Sequence, residues 1–214
     1  MTDTAQNTVS NSRLVGKERR REQLIRSTIN CIANKGIAGT TMADVTKDAG
    51  LSLGIVNLHF QSKERLFEET LRFLSDEYEE LYINAIAKTG DTAEDKLAAL
   101  VKLDFSPKVC DRKKLAVWFA FWGEAKSRPT YLQICAKTDN TNTEVVSRLA
   151  EELKSYPDYV NVNSKSFATG LGALVNGLWL DLLMTPKEIT PREARNICFD
   201  YLAANFPKHF EKTS

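Results

Sequence analysis

The residue types able to do chemistry are sparse in this chain. It has two histidines, His59 and His209, and four cysteines, Cys31, Cys110, Cys135 and Cys198, with no Cys-x-x-Cys pair. A zinc site would find too few ligands at workable spacing. No nucleophile stands beside a base in a motif that would activate it. No metal, no cofactor and no catalytic residue is therefore expected, and the thiols read as reduced and mostly buried. Two other groupings carry more information. Around Gly50, the apolar residues Val45, Ala49, Leu51 and Val56 are spaced like the crossing point of two short helices joined by a tight turn. Further along, Leu115, Trp118 and Trp122 fall at i, i+3 and i+7, with Phe119 and Phe121 on the flanks. This broad aromatic face serves either as bundle core or as one wall of a ligand pocket between helices.

The elements that must position these groups are helical throughout. Residues 1–12 are polar and lack apolar periodicity, and 1–16 reads as a flexible tail. From about Lys17 to Lys35, Ile25, Ile29 and Ile32 share one helical face, and Gly36 ends the helix with Ile37 placed to pack behind it. Thr41 begins a second helix in a capping-box-like arrangement with Asp44, which ends at Ala49-Gly50. Ser52 is placed to cap a third helix and Ser62 a fourth, from Lys63 to near Ala87. Asp91 with Glu94 resembles a cap before Lys96–Leu103, and Lys113–Lys126 is strongly helical. Tyr131–Lys154 follows as one helix, with Thr138-Asp139-Asn140-Thr141-Asn142-Thr143 as a low-propensity run at which a break could fall. Phe167–Met184 and a Pro191-led helix to about Asn205, capped by Thr190 and Glu193, complete the series. No strand alternation appears. The expected fold is all-α, with about nine helices: 17–77 as a helix-turn-helix domain and 78–214 as a helical ligand-binding and dimerisation domain.

Bulk properties agree with a soluble, cytoplasmic protein. The 214 residues are 43% hydrophobic and 27% charged, with a net charge of +1. The charge is unevenly spread: residues 1–65 hold ten Lys/Arg against six Asp/Glu, and the remainder nineteen against twenty-two. A basic end and an acidic remainder suit a chain that meets phosphate at one end, although a solvated basic face gives the same count. No secretory leader opens the chain. The most apolar stretch, Phe167–Met184, contains Asn176 and Asp181 and reads as a buried helix and not as a membrane span.

Thr41-x-x-x-Val45, Ala49-Gly50-Leu51-Ser52-x-Gly54, His59-Phe60 and Lys63-x-x-Leu66 together resemble the DNA-binding signature of the TetR family of repressors. The resemblance covers about residues 17–77. It implies a helix-turn-helix over Thr41–Phe60 whose second helix enters the major groove. Carried over position by position, Leu53, Gly54, Ile55 and Asn57 face bases, and Thr41, Leu58, His59 and Lys63 lie near backbone phosphates, with Ser52 at the start of the reading helix. The chemistry suits these places: Asn57 can pair bidentately with adenine, Ile55 can pack on a thymine methyl, and Lys63 can neutralise phosphate. Thr41 and Ser52 also read as helix caps, and His59 as a packing residue. Arg19, Arg20 and Arg21, with Arg13 before them, either reach DNA or form a solvated face. Two positions depart from the family: Thr46 stands where alanine is frequent, and Asn57 where tyrosine is.

Leu115–Trp122 and Gly170–Leu180, with Asp104-Phe105 and Arg148-Leu149, resemble the BetI branch of that family, whose namesake is a choline-responsive repressor. This likeness implies a homodimer on near-palindromic operator DNA and a small, choline-like cation as effector. Aromatic faces attract such a cation by about 0.5–2 kcal/mol each. Trp118, Phe119, Trp122, Tyr131, Asn176 and Trp179 are the expected walls, and Asp104, Glu124 or Asp181 the expected counter-ion. Gly170, Gly172 and Gly177 suggest a closely approaching helix, and Leu171, Leu174, Leu178 and Leu182 form an apolar stripe that serves either dimerisation or burial inside one subunit. The rival readings are the same scaffold with another effector or none, a helical enzyme using the aromatic cavity, and a non-specific architectural DNA binder. The distribution of histidines argues against the enzyme and the modest basic charge against the architectural protein.

Overall fold

The computed structural model describes residues 3–154, 159 and 161–213, and side chains from residue 15 onward. Among these residues it contains nine α-helices and no strand. They fall into two compact units, Met1–Phe73 and Leu74–Ser214.

The first unit holds α1 (Asp3–Gly39), α2 (Met42–Ala49), α3 (Leu53–Phe60) and the start of α4 (Lys63–Ala87). The described helix begins at Asp3, well ahead of the start read from apolar spacing. A start read from apolar spacing needs apolar residues, and the polar sequence of residues 3–12 offers no such signal. Gly36 interrupts α1 with φ 71° and ψ 174°, as the glycine stop predicts. Helices as short as α2 and α3, each eight residues, are unstable alone and depend on their packing. Leu24, Ile25 and Ile32 of α1, Val45 of α2, Val56 and Phe60 of α3, and Leu66 and Leu71 of α4 are almost fully buried and form this core. Buried hydroxyls are satisfied locally: Thr28 donates to the Leu24 carbonyl and Thr70 to the Leu66 carbonyl, both at 2.8 Å. Thr46, in the place of a smaller alanine, fits because it donates to the Ala43 carbonyl at 2.9 Å.

The second unit continues α4 and adds α5 (Ala93–Asp104), α6 (Arg112–Ala125), α7 (Pro129–Leu153), α8 (Ser164–Met184) and α9 (Pro191–Asn205). Helix α7 packs on α5, α6 and α8, and α9 packs on α5 and α8. Leu97, Leu100, Leu149, Leu178 and Leu202 lie at the centre of the core. Thr190 and Glu193 make the expected capping box. At α5 the cap is Thr92 with Asp95, not Asp91 with Glu94: the Thr92 hydroxyl accepts from the Asp95 amide, a bond that a residue one step earlier cannot reach. Helix α7 runs unbroken through the low-propensity stretch. Thr138 and Thr141 donate to the carbonyls of Ile134 and Lys137, at 3.3 and 2.9 Å, so their hydroxyls follow the helix instead of competing with it.

Helix α8 is long and apolar enough to cross a membrane by length and composition, but Leu171, Val175, Leu178, Trp179 and Leu182 are buried against neighbouring helices of the unit. Of the apolar stripe, Leu171, Leu178 and Leu182 therefore face the chain's own core, and Leu174 is half-buried against it. The outer face of α8 carries Ala173, Gly177, Leu180 and Met184 instead. Of the three glycines read as a close-approach site, only Gly170 is one: a Cβ there would meet the Tyr201 hydroxyl of α9 at 2.4 Å, whereas Gly172 and Gly177 have no neighbour within 4 Å.

The Gly36 backbone conformation is one that only glycine adopts without strain, and no atom would clash with an added methyl. Gly36→Ala should therefore lower stability by about 1–3 kcal/mol through the backbone alone, read from urea unfolding. Gly16→Ala, inside α1 and free of neighbours, is the control and should be neutral or stabilising by less than about 1 kcal/mol. Equal midpoints for the two variants would refute the strain argument.

Candidate functional site

The turn between α2 and α3 is built by Gly50 in the left-handed region, φ 63° and ψ 31°. Its amide donates to the Lys47 carbonyl and the Leu51 amide to the Thr46 carbonyl, the double bond of a Schellman ending. Gln23 of α1 reaches across to the Ala49 carbonyl at 2.7 Å and fixes the same corner. Thr41 starts α2 with a complete capping box: its hydroxyl accepts from the Asp44 amide and its own amide donates to the Asp44 carboxylate. Asp44 also pairs with Lys35 at 2.5 Å, and these contacts hold its carboxyl well below the usual range. Thr41 thus spends its hydroxyl on the cap. Ser52 occupies the N-cap position of α3, yet its side chain makes no capping bond; only its carbonyl accepts, from the Ile55 amide.

Helix α3 has two distinct sides. Val56 and Phe60 turn inward and are buried; Leu53, Gly54, Asn57 and Leu58 face solvent, with Leu58 74% exposed. Ile55 and His59 lie half-buried between them. Four of the expected DNA-facing residues thus share one outward surface, and large apolar side chains stand unprotected on it. Lys63 lies at the start of α4 with its ammonium 5.2 Å from the Phe67 ring centre. Partial burial lowers the His59 pKa, and Lys17, Arg21 and Arg20 of α1 lower it further, with Glu18 opposing them. The basic segment of α1 therefore lies near the C-terminal end of α3. Within that segment Arg21 is engaged, by Glu69 at 2.5 Å and by Glu18.

The second unit contains a cavity of about 280 Å³, near the lower end of the range for small-molecule sites. Helix α4 supplies Tyr78 and Tyr82, α5 supplies Asp104, α7 supplies Asp139, Asn142 and Thr143, and α8 supplies Thr169, Gly172 and Asn176. Asp104 is 7% exposed and accepts one hydrogen bond, from the Tyr78 hydroxyl at 2.6 Å. Burial raises its carboxyl to about 7, with the Tyr78 bond pulling the other way. Burial and the nearby Asp104 together push Tyr78 and Tyr82 above the usual tyrosine range and Cys110 to about 12.

Of the residues expected to line an effector site, Asp104 and Asn176 do so. Trp179 stands behind the wall: its indole N–H donates to the Asp104 carbonyl at 2.8 Å and its ring meets Tyr78 edge-on at 5.9 Å. Trp118, Phe119 and Trp122 pack on one another, while Tyr131 is buried against Phe121, with Arg128 over its ring. These four do not border the cavity. Glu124 pairs with Arg128 at 3.3 Å, and Asp181 is exposed. The lining residues that sequence reasoning missed include Tyr78, Tyr82 and Asp139. The polar run Thr138–Thr143 held the available signal, because its unfavourable helix residues include part of the cavity wall. Among the described residues no cluster of His, Cys, Asp and Glu is suited to hold a metal, and the four cysteines are free thiols.

Residues 93–207 match the model described as "BetI-type transcriptional repressor, C-terminal", and residues 24–70 match "Bacterial regulatory proteins, tetR family". The chain belongs to the TetR family of transcriptional regulators. This regulator is 30% identical to the HTH-type transcriptional regulator BetI of Stenotrophomonas maltophilia, over 86% of its own length and 91% of the relative's. Among solved structures it resembles a transcriptional regulator from Pseudomonas aeruginosa PAO1, with TM-score 0.78 and 26% identity, covering 91% of this chain and 95% of that one. It shares the fold of a regulator from Saccharomonospora viridis in complex with choline, with TM-score 0.79 and 19% identity over 88% and 97% of the two chains. The TetR-family regulator is thus a DNA-binding protein with an N-terminal helix-turn-helix and a BetI-type helical C-terminal domain.

The buried carboxyl has a consequence for its stability. In the unfolded chain Asp104 ionises near pH 4, in the folded chain near 7. Below about pH 4 both states hold the proton and nothing is lost. Between about 4 and 7 only the unfolded state ionises, so rising pH destabilises the fold, and above that the penalty is constant. Asp104→Asn should therefore gain stability over the parent as pH rises, reaching a few kcal/mol by about pH 8. Urea unfolding at three pH values measures this, and a gap that does not change with pH would refute it.

Proposed function

We propose that this protein is a cytoplasmic, homodimeric repressor whose affinity for a near-palindromic operator is set by a small organic cation in the α4–α5–α7–α8 cavity. The observation that carries the effector reading is the cavity itself: a deeply buried carboxyl, two tyrosines beside it, and no basic residue in its lining. A cation is the ligand that such a set complements, through charge and through the ring faces. The choline bound by the regulator of like fold from Saccharomonospora viridis belongs to the same chemical class.

The DNA reading rests on the outward face of α3. We assign Leu53, Gly54, Ile55 and Asn57 to base edges and Thr41, Ser52, Leu58, His59 and Lys63 to the backbone and the start of the reading helix. One eight-residue reading helix covers too little of the groove for tight binding, so two copies are required, on half-sites about 34–36 Å apart. The outer face of α8, with Leu180 43% and Met184 70% exposed, and Ile197 of α9 at 42%, offers the apolar surface through which two copies pair. The effector acts by binding the DNA-competent and DNA-incompetent states with different affinities.

Two measurements test this. Binding to DNA upstream of the regulator's own gene, with and without choline and at two salt concentrations, should show a preference over random DNA. Choline should change that affinity by roughly 5–150-fold. Absence of sequence preference would overturn the operator reading, and preference without a ligand effect would overturn the effector reading. Separately, Asn57→Ala should erase discrimination of about 1–3 kcal/mol at one base pair, while Lys63→Ala should weaken all sequences alike and lower the salt slope by about one. If Asn57→Ala leaves operator preference intact, α3 is misassigned.

A further inference from the structure

The cavity has an imbalance that the cation reading alone does not resolve. Asp104 sits at the last turn of α5 with a single donor, the Tyr78 hydroxyl. The titratable groups around it are all acids: Tyr78 and Tyr82 on α4, Asp139 on α7, Cys110 in the loop after α5 and Cys198 on α9. Helix α8 adds only uncharged groups to the lining, among them Thr169 and Asn176. The cations on the other side of Tyr78, Lys108 and Lys114, border a separate small cleft, and Lys114 is held by Glu77 at 2.6 Å. A carboxylate in such surroundings is expensive, because the Tyr78 hydroxyl alone stands in for the water it lost.

We propose that the cavity exchanges a proton for its effector: the Asp104–Tyr78 pair carries one more proton when the cavity is empty than when a monovalent organic cation fills it. The inference rests on the cation reading above and deepens it. The exchange balances in charge and atoms. In the empty state Asp104 is a neutral carboxylic acid, 2.6 Å from the Tyr78 oxygen. As the cation enters, the O–H bond of the acid breaks, the electron pair stays on the carboxylate, and the proton passes to water and buffer. The pair adds no net charge to the cavity before or after, because a neutral acid gives way to a carboxylate beside a cation, so Asp104 is never buried as an unpaired charge. Tyr78 goes on donating to the carboxylate and makes ionisation easier. The regulator consequently reads acidity together with effector, since protons compete with the cation for one site.

Calorimetric titration of the full-length protein with choline, in pairs of buffers with different heats of ionisation, tests the exchange. Near pH 6 about one proton should be released per choline bound, falling to almost none near pH 8.5, and affinity should weaken about tenfold for each pH step below 7. Tyr78→Phe removes the donor that favours the carboxylate, so its proton release should persist to higher pH than in the parent. Asp104→Asn should bind choline far more weakly and release no proton at any pH. Binding of equal strength at both pH values, with no buffer-dependent heat, overturns the exchange and leaves the cation reading standing. If choline, tetramethylammonium and ethanolamine all fail to bind at millimolar concentration, the cation reading falls and the exchange falls with it.

Discussion

The polar atoms of Asp104 join three helices. As the last residue of α5, Asp104 has a carbonyl that finds no partner within its own helix. The Trp179 indole of α8 supplies one at 2.8 Å, and the Cys110 thiol adds a weaker donor at 3.1 Å. Its side chain is tied in turn to Tyr78 of α4. Satisfying the helix end therefore sets the spacing of α4, α5 and α8, and that spacing leaves the cavity open beside the carboxyl. A buried carbonyl cannot be left unpaired without cost, so the indole is committed to the scaffold. The same requirement that builds the site removes its largest aromatic ring from the lining.

The DNA-binding unit meets a parallel constraint with different means. Its two short helices offer little hydrogen bonding of their own, and the chain supplies closure at both ends of α2: a capping box at Thr41, a left-handed glycine at position 50, and a side-chain bond from Gln23 to the final carbonyl. Buried threonines return their hydroxyls to their own helices. Because closure comes from the ends and from α1, the outward face of α3 is left free of structural duties. Leu53 and Leu58 are exposed there, on the same side as Gly54 and Asn57.

Much of this was legible in the sequence, and the parts that were not share a cause. Gly50, Thr41 with Asp44, and Thr190 with Glu193 determine local geometry through local chemistry, and the structure follows them. The all-helical fold followed from periodicity in the same way. The cavity depends on which faces of distant helices meet, which no single stretch encodes. Aromatic content pointed to α6, yet Trp118, Phe119 and Trp122 pack on one another because stacked rings make good core. Tyr78 and Tyr82, embedded among the glutamates of α4, drew no attention because their neighbours are so polar. The run Thr138–Thr143 read as a break because propensity scores a residue against water, whereas its hydroxyls bond along the helix and its polar side chains serve the cavity. Whether Leu171, Leu174, Leu178 and Leu182 face a second copy or the chain's own core is not legible in the sequence, because an apolar stripe has no label for the partner it meets.

Charge was the least transferable of the sequence signals. Ten cations in the first 65 residues suggest a strongly basic head. In the fold, Arg21, Arg26, Lys35 and Arg65 are each paired with carboxylates of the same unit, Glu69 being shared by Arg21 and Arg65. Exposed pairs of this kind add little stability, but they do reduce the positive potential presented to phosphate. Among the described residues, Lys17, Arg19, Arg20, Lys47 and Lys63 enter no ion pair. A surface with so few unpaired cations gains limited affinity from counterion release. The outward face of α3 adds no cation to these: it presents an uncharged amide, Asn57, beside the apolar Leu53 and Leu58.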